Sequence, residues 1–320
     1  MRRFLWILLQ FLLIAGIFGF LFWSAATTVD SEGKNVFTVL YEQPKRWHLL
    51  AAAFLTQLFA VALTFIRWRW LVRILGLECS RREAFRFGFF GLMLNLAPLG
   101  IVGGDAIKAV LIAQRNPHNK SQAVASVFID RFVGLLVMFI CGTVFVCWTG
   151  FAFQPEILAQ TLTHLVFAFT AVSLIGTGIV FLPFFAKGHF ERLLEKIPFC
   201  GNLLSKLTQA LLLYRHHTRC LLQCCLITVF VHISLGVSLH WIATGLFLSV
   251  PGLLDHIMLH NVANLTSMIP LAAGPYELIL EQLYQMLAMS VGMGLIVALM
   301  YRLTTIGVAI MGIIYYYGSR

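Results

Sequence analysis

Residues 221–250 read LLQCCLITVFVHISLGVSLHWIATGLFLSV, thirty positions without an Asp, Glu, Lys or Arg. A helix needs about 20 such residues to cross about 30 Å of hydrocarbon. The stretches 4–23, 49–66, 132–148, 158–185 and 292–317 approach or exceed that length in the same way. Their apolar residues form runs, not the periodic stripe of a helix with one wet face. Hydrophobic residues make up 60% of the 320 and charged residues 11%. Soluble domains average about a quarter charged. The expected fold is therefore an all-α polytopic membrane protein of about six full transmembrane helices. It is a single membrane domain over 1–320, with no soluble domain large enough to fold alone. Span 4–23 follows Arg2 and Arg3 and precedes Ser24-Ala25-Ala26, which resembles a signal peptide. Its apolar stretch exceeds the 7–15 residues of a typical signal core, so an uncleaved helix is expected.

The net charge of +10 is not spread as a nucleic-acid surface would be. Seventeen of the 23 basic residues fall in segments that share one side of the six-span order. The positive-inside rule then places both termini in the cytoplasm of a cell-membrane protein. The same basic face attracts anionic headgroups, by about 1 kcal/mol per residue. Nucleic acid is not an expected partner. The seven cysteines include no CxxC and are expected to act as small core filler.

Two regions do not read as simple spans. Region 85–113 has basic residues at both ends and the centre Asn95-Leu96-Ala97-Pro98-Leu99-Gly100-Ile101-Val102-Gly103-Gly104-Asp105. Proline and three glycines there are expected to break the helix. Region 253–289 has the centre Pro270-Leu271-Ala272-Ala273-Gly274-Pro275-Tyr276-Glu277. Each is expected to be a re-entrant hairpin of half-helices, the first entered from the cytoplasm and the second from the outer side. Irregular backbone at that depth requires protein or a wet cavity around it.

The two regions match. Each begins Pro-Leu and places a carboxylate seven residues after the proline, Asp105 and Glu277. Arg131 follows Asp105 by 26 residues, and Arg302 follows Glu277 by 25. Opposite orientation with matched spacing predicts an inverted-topology repeat, the pattern of transporters with a midplane site. Between the halves, 188–219 alternates leucines with lysines and glutamates and is expected to lie on the membrane as an amphipathic connector.

Seven charged residues sit at membrane depth: Asp105, Lys108, Asp130, Arg131, Glu277, Glu281 and Arg302. Each costs at least about 2.5–3.5 kcal/mol to insert, so such groups pair, act, or do both. Asp105, Lys108, Arg131, Glu277 and Arg302 are the candidate substrate-binding residues, since guanidinium suits a phosphate. Half-helices starting after Gly104 and at Pro275 would add free N–H groups, with Asp105 and Glu277 as possible caps. Asn95, Gly103, Gly104, Asp130, Asn264, Gly274 and Glu281 are supporting candidates. The asparagines could hydrogen-bond the broken backbone. Glu281 lies one turn after Glu277, and like charges at that spacing repel, so one of the two is expected to be protonated or paired with an arginine. His256 and His260 have an i, i+4 metal spacing but sit near the outer interface without HExxH; no metal or cofactor is expected. His216 and His217 read as solvated or lipid-facing. No Walker A, GxSxG or dinucleotide fingerprint occurs, so nothing points to ATP hydrolysis or a serine esterase.

Four motifs follow in order: Arg67-Trp68-Arg69-Trp70-Leu71, Val102-Gly103-Gly104-Asp105-Ala106-Ile107-Lys108-Ala109, Ser126-x3-Asp130-Arg131-x2-Gly134-Leu135, and Pro270-x3-Gly274-Pro275-Tyr276-Glu277. With them the chain resembles the lysylphosphatidylglycerol synthase transmembrane-region family of flippase-like membrane proteins, over nearly its whole length. The resemblance implies a helical domain with two re-entrant hairpins and a role in flipping a lipid. In the multiple peptide resistance factors a cytosolic aminoacyltransferase domain follows. The present sequence stops at Arg320, directly after the last span, so a transferase activity is not expected of it. Leu271-Ala272 stands where the family often has Gly-Gly. Some relatives work beside glycosyltransferases, so membership does not name the lipid. The leading expectation is a flippase-like transporter of an amphiphile with a polar, phosphate-bearing headgroup, with membrane lipids as its ligands. The alternatives are a membrane enzyme, with Asp105 or Glu277 as acid or base, and a non-transporting partner of a separate synthase or transferase. A homo-oligomer is the other assembly considered.

Overall fold

The computed structural model describes residues 2–29, 33–95, 100–181, 212–269, 271 and 273–318, without the side chains of 2–8, 100–102, 180–181 and 316–318. The helices are α1 (Arg2–Thr27), α2 (Val36–Glu42), α3 (Trp47–Ile74), α4 (Arg81–Asn95), α5 (Gly100–Arg115), α6 (Lys120–Trp148), α7 (Ile157–Phe181), α8 (Thr218–Leu246), α9 (Leu253–Ala263), α10 (Pro275–Met286) and α11 (Met293–Gly318). No strand occurs among the described residues. Six helical segments are long and apolar enough to cross a membrane: Leu9–Thr27, Trp47–Ile74, Pro117–Trp148, Ile157–Ile179, Thr218–Leu246 and Met293–Tyr315. They coincide with the six expected runs, and the protein is an all-α polytopic membrane protein.

Local chemistry sets the ends. Ser80 and Glu83 form a capping box before α4: Glu83 N–H donates to Ser80 Oγ (3.1 Å), and Ser80 N–H donates to Glu83 Oε2 (2.8 Å). α3 stops before Gly76, whose φ of +71° suits a residue without Cβ. α10 starts with Pro275 at its first position behind Gly274, whose φ is +103°.

A four-helix arrangement occurs twice. In the first set α3 packs on α4, α4 on α5, α5 on α6, and α6 returns to α3. In the second, α8, α9, α10 and α11 repeat these contacts in the same order. The cross-contacts are reciprocal as well: α6 touches α8 and α9, while α11 touches α3 and α4. The equivalent helices α3 and α8 share the most extensive packing in the molecule. One cluster of buried side chains joins α3, α5, α6 and α8 around Trp68, Leu71 and Ile129. The larger one gathers α6 and α8 to α11 around Leu239, Met258, Leu283 and Val297.

One expectation needs correction. The glycines of Gly100-Ile101-Val102-Gly103-Gly104 do not break the backbone; α5 begins at Gly100 and runs through all three. Asp105 therefore lies in the second turn and does not cap a helix that starts after Gly104. Gly104 is used for closeness instead. A Cβ there would lie 2.1 Å from Gly91 O and 2.2 Å from Asn95 Oδ1. The lost helix propensity of glycine, about 1 kcal/mol, is offset by contact between α4 and α5. Gly104→Ala is expected to cost about 1–3 kcal/mol through overpacking, seen as a lower unfolding temperature in detergent. An unchanged temperature would show that α4 and α5 can separate freely. The Pro98 centre of the first break, most of 188–219, and Pro270 and Ala272 lie outside the described residues.

Candidate functional site

The charged residues at membrane depth sort into three groups. In the first half, Arg67 of α3 donates from Nε to Asp130 Oδ1 (2.8 Å), from an Nη to the Asp130 carbonyl (3.2 Å), and from the other to Thr228 Oγ1 (2.8 Å). Both ions are 5% exposed. Beside them, Asp105 accepts from Arg131 Nε and lies 3.4 Å from Lys108 Nζ. Lys108 also reaches within 3.9 Å of Asp130 Oδ2, and its Nζ lies 5.3 Å from the centre of the Trp68 ring. Arg131 is the open member, with its side chain 40% exposed.

In the second half, Glu277 is fully buried. Its Oε2 accepts from Gly274 N–H (2.7 Å), the reach-back half of a capping box. Its Oε1 accepts from Arg302 at 2.5–2.6 Å. The expected capping role and the expected acid–base pair thus coexist in one carboxylate.

Glu281 forms the third group; of the two glutamates it is Glu277 that has the expected arginine partner. Glu281 accepts from Gly292 N–H (2.6 Å), Leu295 N–H (2.8 Å) and Gln285 Nε2 (2.8 Å). Gly292 and Leu295 open α11, so Glu281 supplies the cap that glycine lacks. The repulsion with Glu277 is relieved because the two carboxylates face different donors. Glu281→Ala would strand two buried N–H groups, each costing about 1–3 kcal/mol. The expected result is a markedly lower unfolding temperature. A variant as stable as the parent would remove this assignment.

Two cavities follow from this arrangement. One, about 280 Å³, is lined by Arg67, Lys108, Asp130, Arg131 and His232 among apolar neighbours. The other, about 250 Å³, is lined by His260, Tyr276, Glu277, Tyr301 and Arg302. Asn95, Leu235, Asn264 and Ser267 line both. Both asparagines stand at the junction, and the bonds described for them go to the interior of α5 and to a sulfur, not to broken backbone. Asn95 Oδ1 accepts from Gly104 N–H (3.0 Å), and Asn264 donates to Met138 Sδ (3.3 Å). Gly103 lies within α5, and Gly274 is the left-handed residue ahead of α10.

Several participants went unseen in the sequence. Arg67 directly follows the apolar run that stops at Ile66 and is one of the seventeen basic residues that the sequence assigns to the cytoplasmic side. α3 continues for about two more turns, to Ile74, and buries Arg67. Its position in the Arg67-Trp68-Arg69-Trp70 motif was the available signal. Tyr276 and Tyr301 stack with ring centres 5.9 Å apart, and His260 Nδ1 lies 3.3 Å from Tyr276 Oη. His256 and His260 are buried and turn to different partners. His256 Nε2 meets Tyr284 Oη at 2.7 Å. No group of metal-binding character occurs among the described residues. Cys147 is exposed, unlike the core role expected of it, whereas Cys79, Cys141 and Cys224 are buried. His216 and His217 are exposed.

The family model for the lysylphosphatidylglycerol synthase TM region matches residues 7–312. The chain belongs to that family. None of the curated proteins and none of the solved structures compared with it matches. The match spans both four-helix sets and both cavities, so the charged pairs above lie in the family's membrane region itself.

Proposed function

We propose that this protein moves an amphiphile with a polar, phosphate-bearing headgroup between leaflets, with both termini on the cytoplasmic side. The observation that carries the reading is the pair of cavities. Each holds an acid–base pair from one four-helix set, and they share Asn95, Leu235, Asn264 and Ser267. Charges inside a membrane protein are expensive and mark substrate paths. A polar headgroup could pass from one pair to the other across the shared residues while its acyl chains stay in lipid. Rocking of the two repeated sets about the α3–α8 contact would open the cavities in turn. The re-entrant geometry of the two broken segments belongs to the same proposal.

The test is reconstitution in vesicles with a fluorescent phosphodiester lipid, followed by quenching of the outer leaflet. Exchange faster than in protein-free vesicles is expected, and the recovered lipid should be chemically unchanged. A new product would move the assignment to a membrane enzyme. Ser267 is half-buried where the two cavities meet, and it belongs to none of the buried side-chain clusters, so Ser267→Trp should block passage while leaving the core in place. We expect a fall of about tenfold or more, equivalent to about 1.4 kcal/mol of barrier. Exchange at the parent rate would remove the junction as the path.

A further inference from the structure

The first cavity has an excess of one charge. Among the described residues, Arg67, Lys108 and Arg131 face Asp105 and Asp130, while His232 turns its Nε2 to Gly134 O at 3.3 Å. The five ions are not equivalent. Arg67 and Asp130 are both buried and satisfy one another and Thr228. Lys108 and Arg131 line the cavity, while Asp105 touches both of them without lining it. Beyond that mutually satisfied pair, which also lines the cavity, the face therefore presents two cations backed by Asp105, with the Asp130 carboxylate 3.9 Å from Lys108.

An uncompensated charge in a low-dielectric interior is costly, and a bound ion is favoured when it brings the cluster to neutrality. One negative charge does so here; two would overshoot. We propose that Lys108 and Arg131 form a subsite for a monoanion, a phosphodiester carried by a lipid, and that Asp105 sets its valence. This rests on the reading above that a phosphate-bearing headgroup enters the cavity. Asp105 acts as a positioning and specificity residue. It orients both cations from behind and subtracts one charge, so a doubly charged phosphomonoester is disfavoured. Guanidinium and ammonium on two sides suit the two non-bridging oxygens of a diester.

The experiment titrates the purified full-length protein in detergent at pH 8 with phosphatidylglycerol or phosphatidic acid, and reads bound lipid by native mass spectrometry. The parent should favour phosphatidylglycerol. Asp105→Asn removes one negative charge and should shift the ratio toward phosphatidic acid by about tenfold or more. Asp105→Glu keeps the charge and should keep the parent's preference, which separates valence from mere damage. Arg131→Gln should abolish binding of both. An unchanged ratio in Asp105→Asn, with Arg131→Gln still abolishing binding, would overturn the role of Asp105 and leave the headgroup reading intact. Binding insensitive to Arg131→Gln in every case would overturn the headgroup reading, and this inference with it. Complete displacement by equimolar glycerophosphoglycerol would make the ligand a soluble diester and overturn its assignment to a lipid.

Discussion

Arg67→Met is expected to cost about 3–5 kcal/mol of stability, the usual loss when one partner of a buried ion pair is removed. Methionine keeps most of the stem's volume, so the loss is electrostatic. Asp130, 5% exposed, would keep only Lys108 at 3.9 Å. Thr228 Oγ1 would lose its donor from α3. The tie between the equivalent helices α3 and α8 would go with it. A fall in unfolding temperature of at least about 5 °C in detergent is the expected readout. The double variant Arg67→Met with Asp130→Asn should recover much of the loss, because a buried pair replaced on both sides is often neutral. A single variant that melts with the parent would show that Asp130 finds water or another partner. Arg131, two-fifths exposed, should behave differently: its removal should spare the fold and remove the ligand.

The contrast between these arginines marks how far the sequence could be read. Apolar runs gave the spans, because hydrocarbon thickness leaves one helical solution. The acid–base pairs were visible because a charge at membrane depth has few reasons to be there, and spacings of 26 and 25 residues named the partners. Arg67 was hidden by the same reasoning. Lying at the end of an apolar run, it looked like an orienting surface charge, and only packing against α6 and α8 shows otherwise. The glycines before Asp105 misled in a related way. Their low helix propensity is a local property, and the close approach of Gly91 to Gly104 is a tertiary one that overrides it. The capping role of Glu281 could not be placed from sequence, since the two donors that define it are backbone groups eleven and fourteen residues away.

Glu277→Gln is the second variant with a large expected effect, and its sign is the informative part. In the parent, Glu277 carries the charge that balances Arg302, so the described ions of the second cavity sum to zero while the first keeps one positive charge. An anionic headgroup would then be held in the first cavity and pass through the second without a trap. Glutamine can still accept from Gly274 N–H, which preserves the start of α10. It removes the carboxylate charge beside Arg302 and makes the second cavity cationic. A phosphodiester reaching it should bind and stay. The expected result is a fall in lipid exchange of about tenfold or more, together with more phosphatidylglycerol retained on purification. Loss of exchange with loss of retained lipid would instead mean that Glu277 builds the path and does not regulate its charge. Exchange and retention both at parent levels would remove the second cavity from the route. The neutral second pair is thus the part of the site that lets a headgroup leave, as the surplus charge of the first is the part that lets it enter.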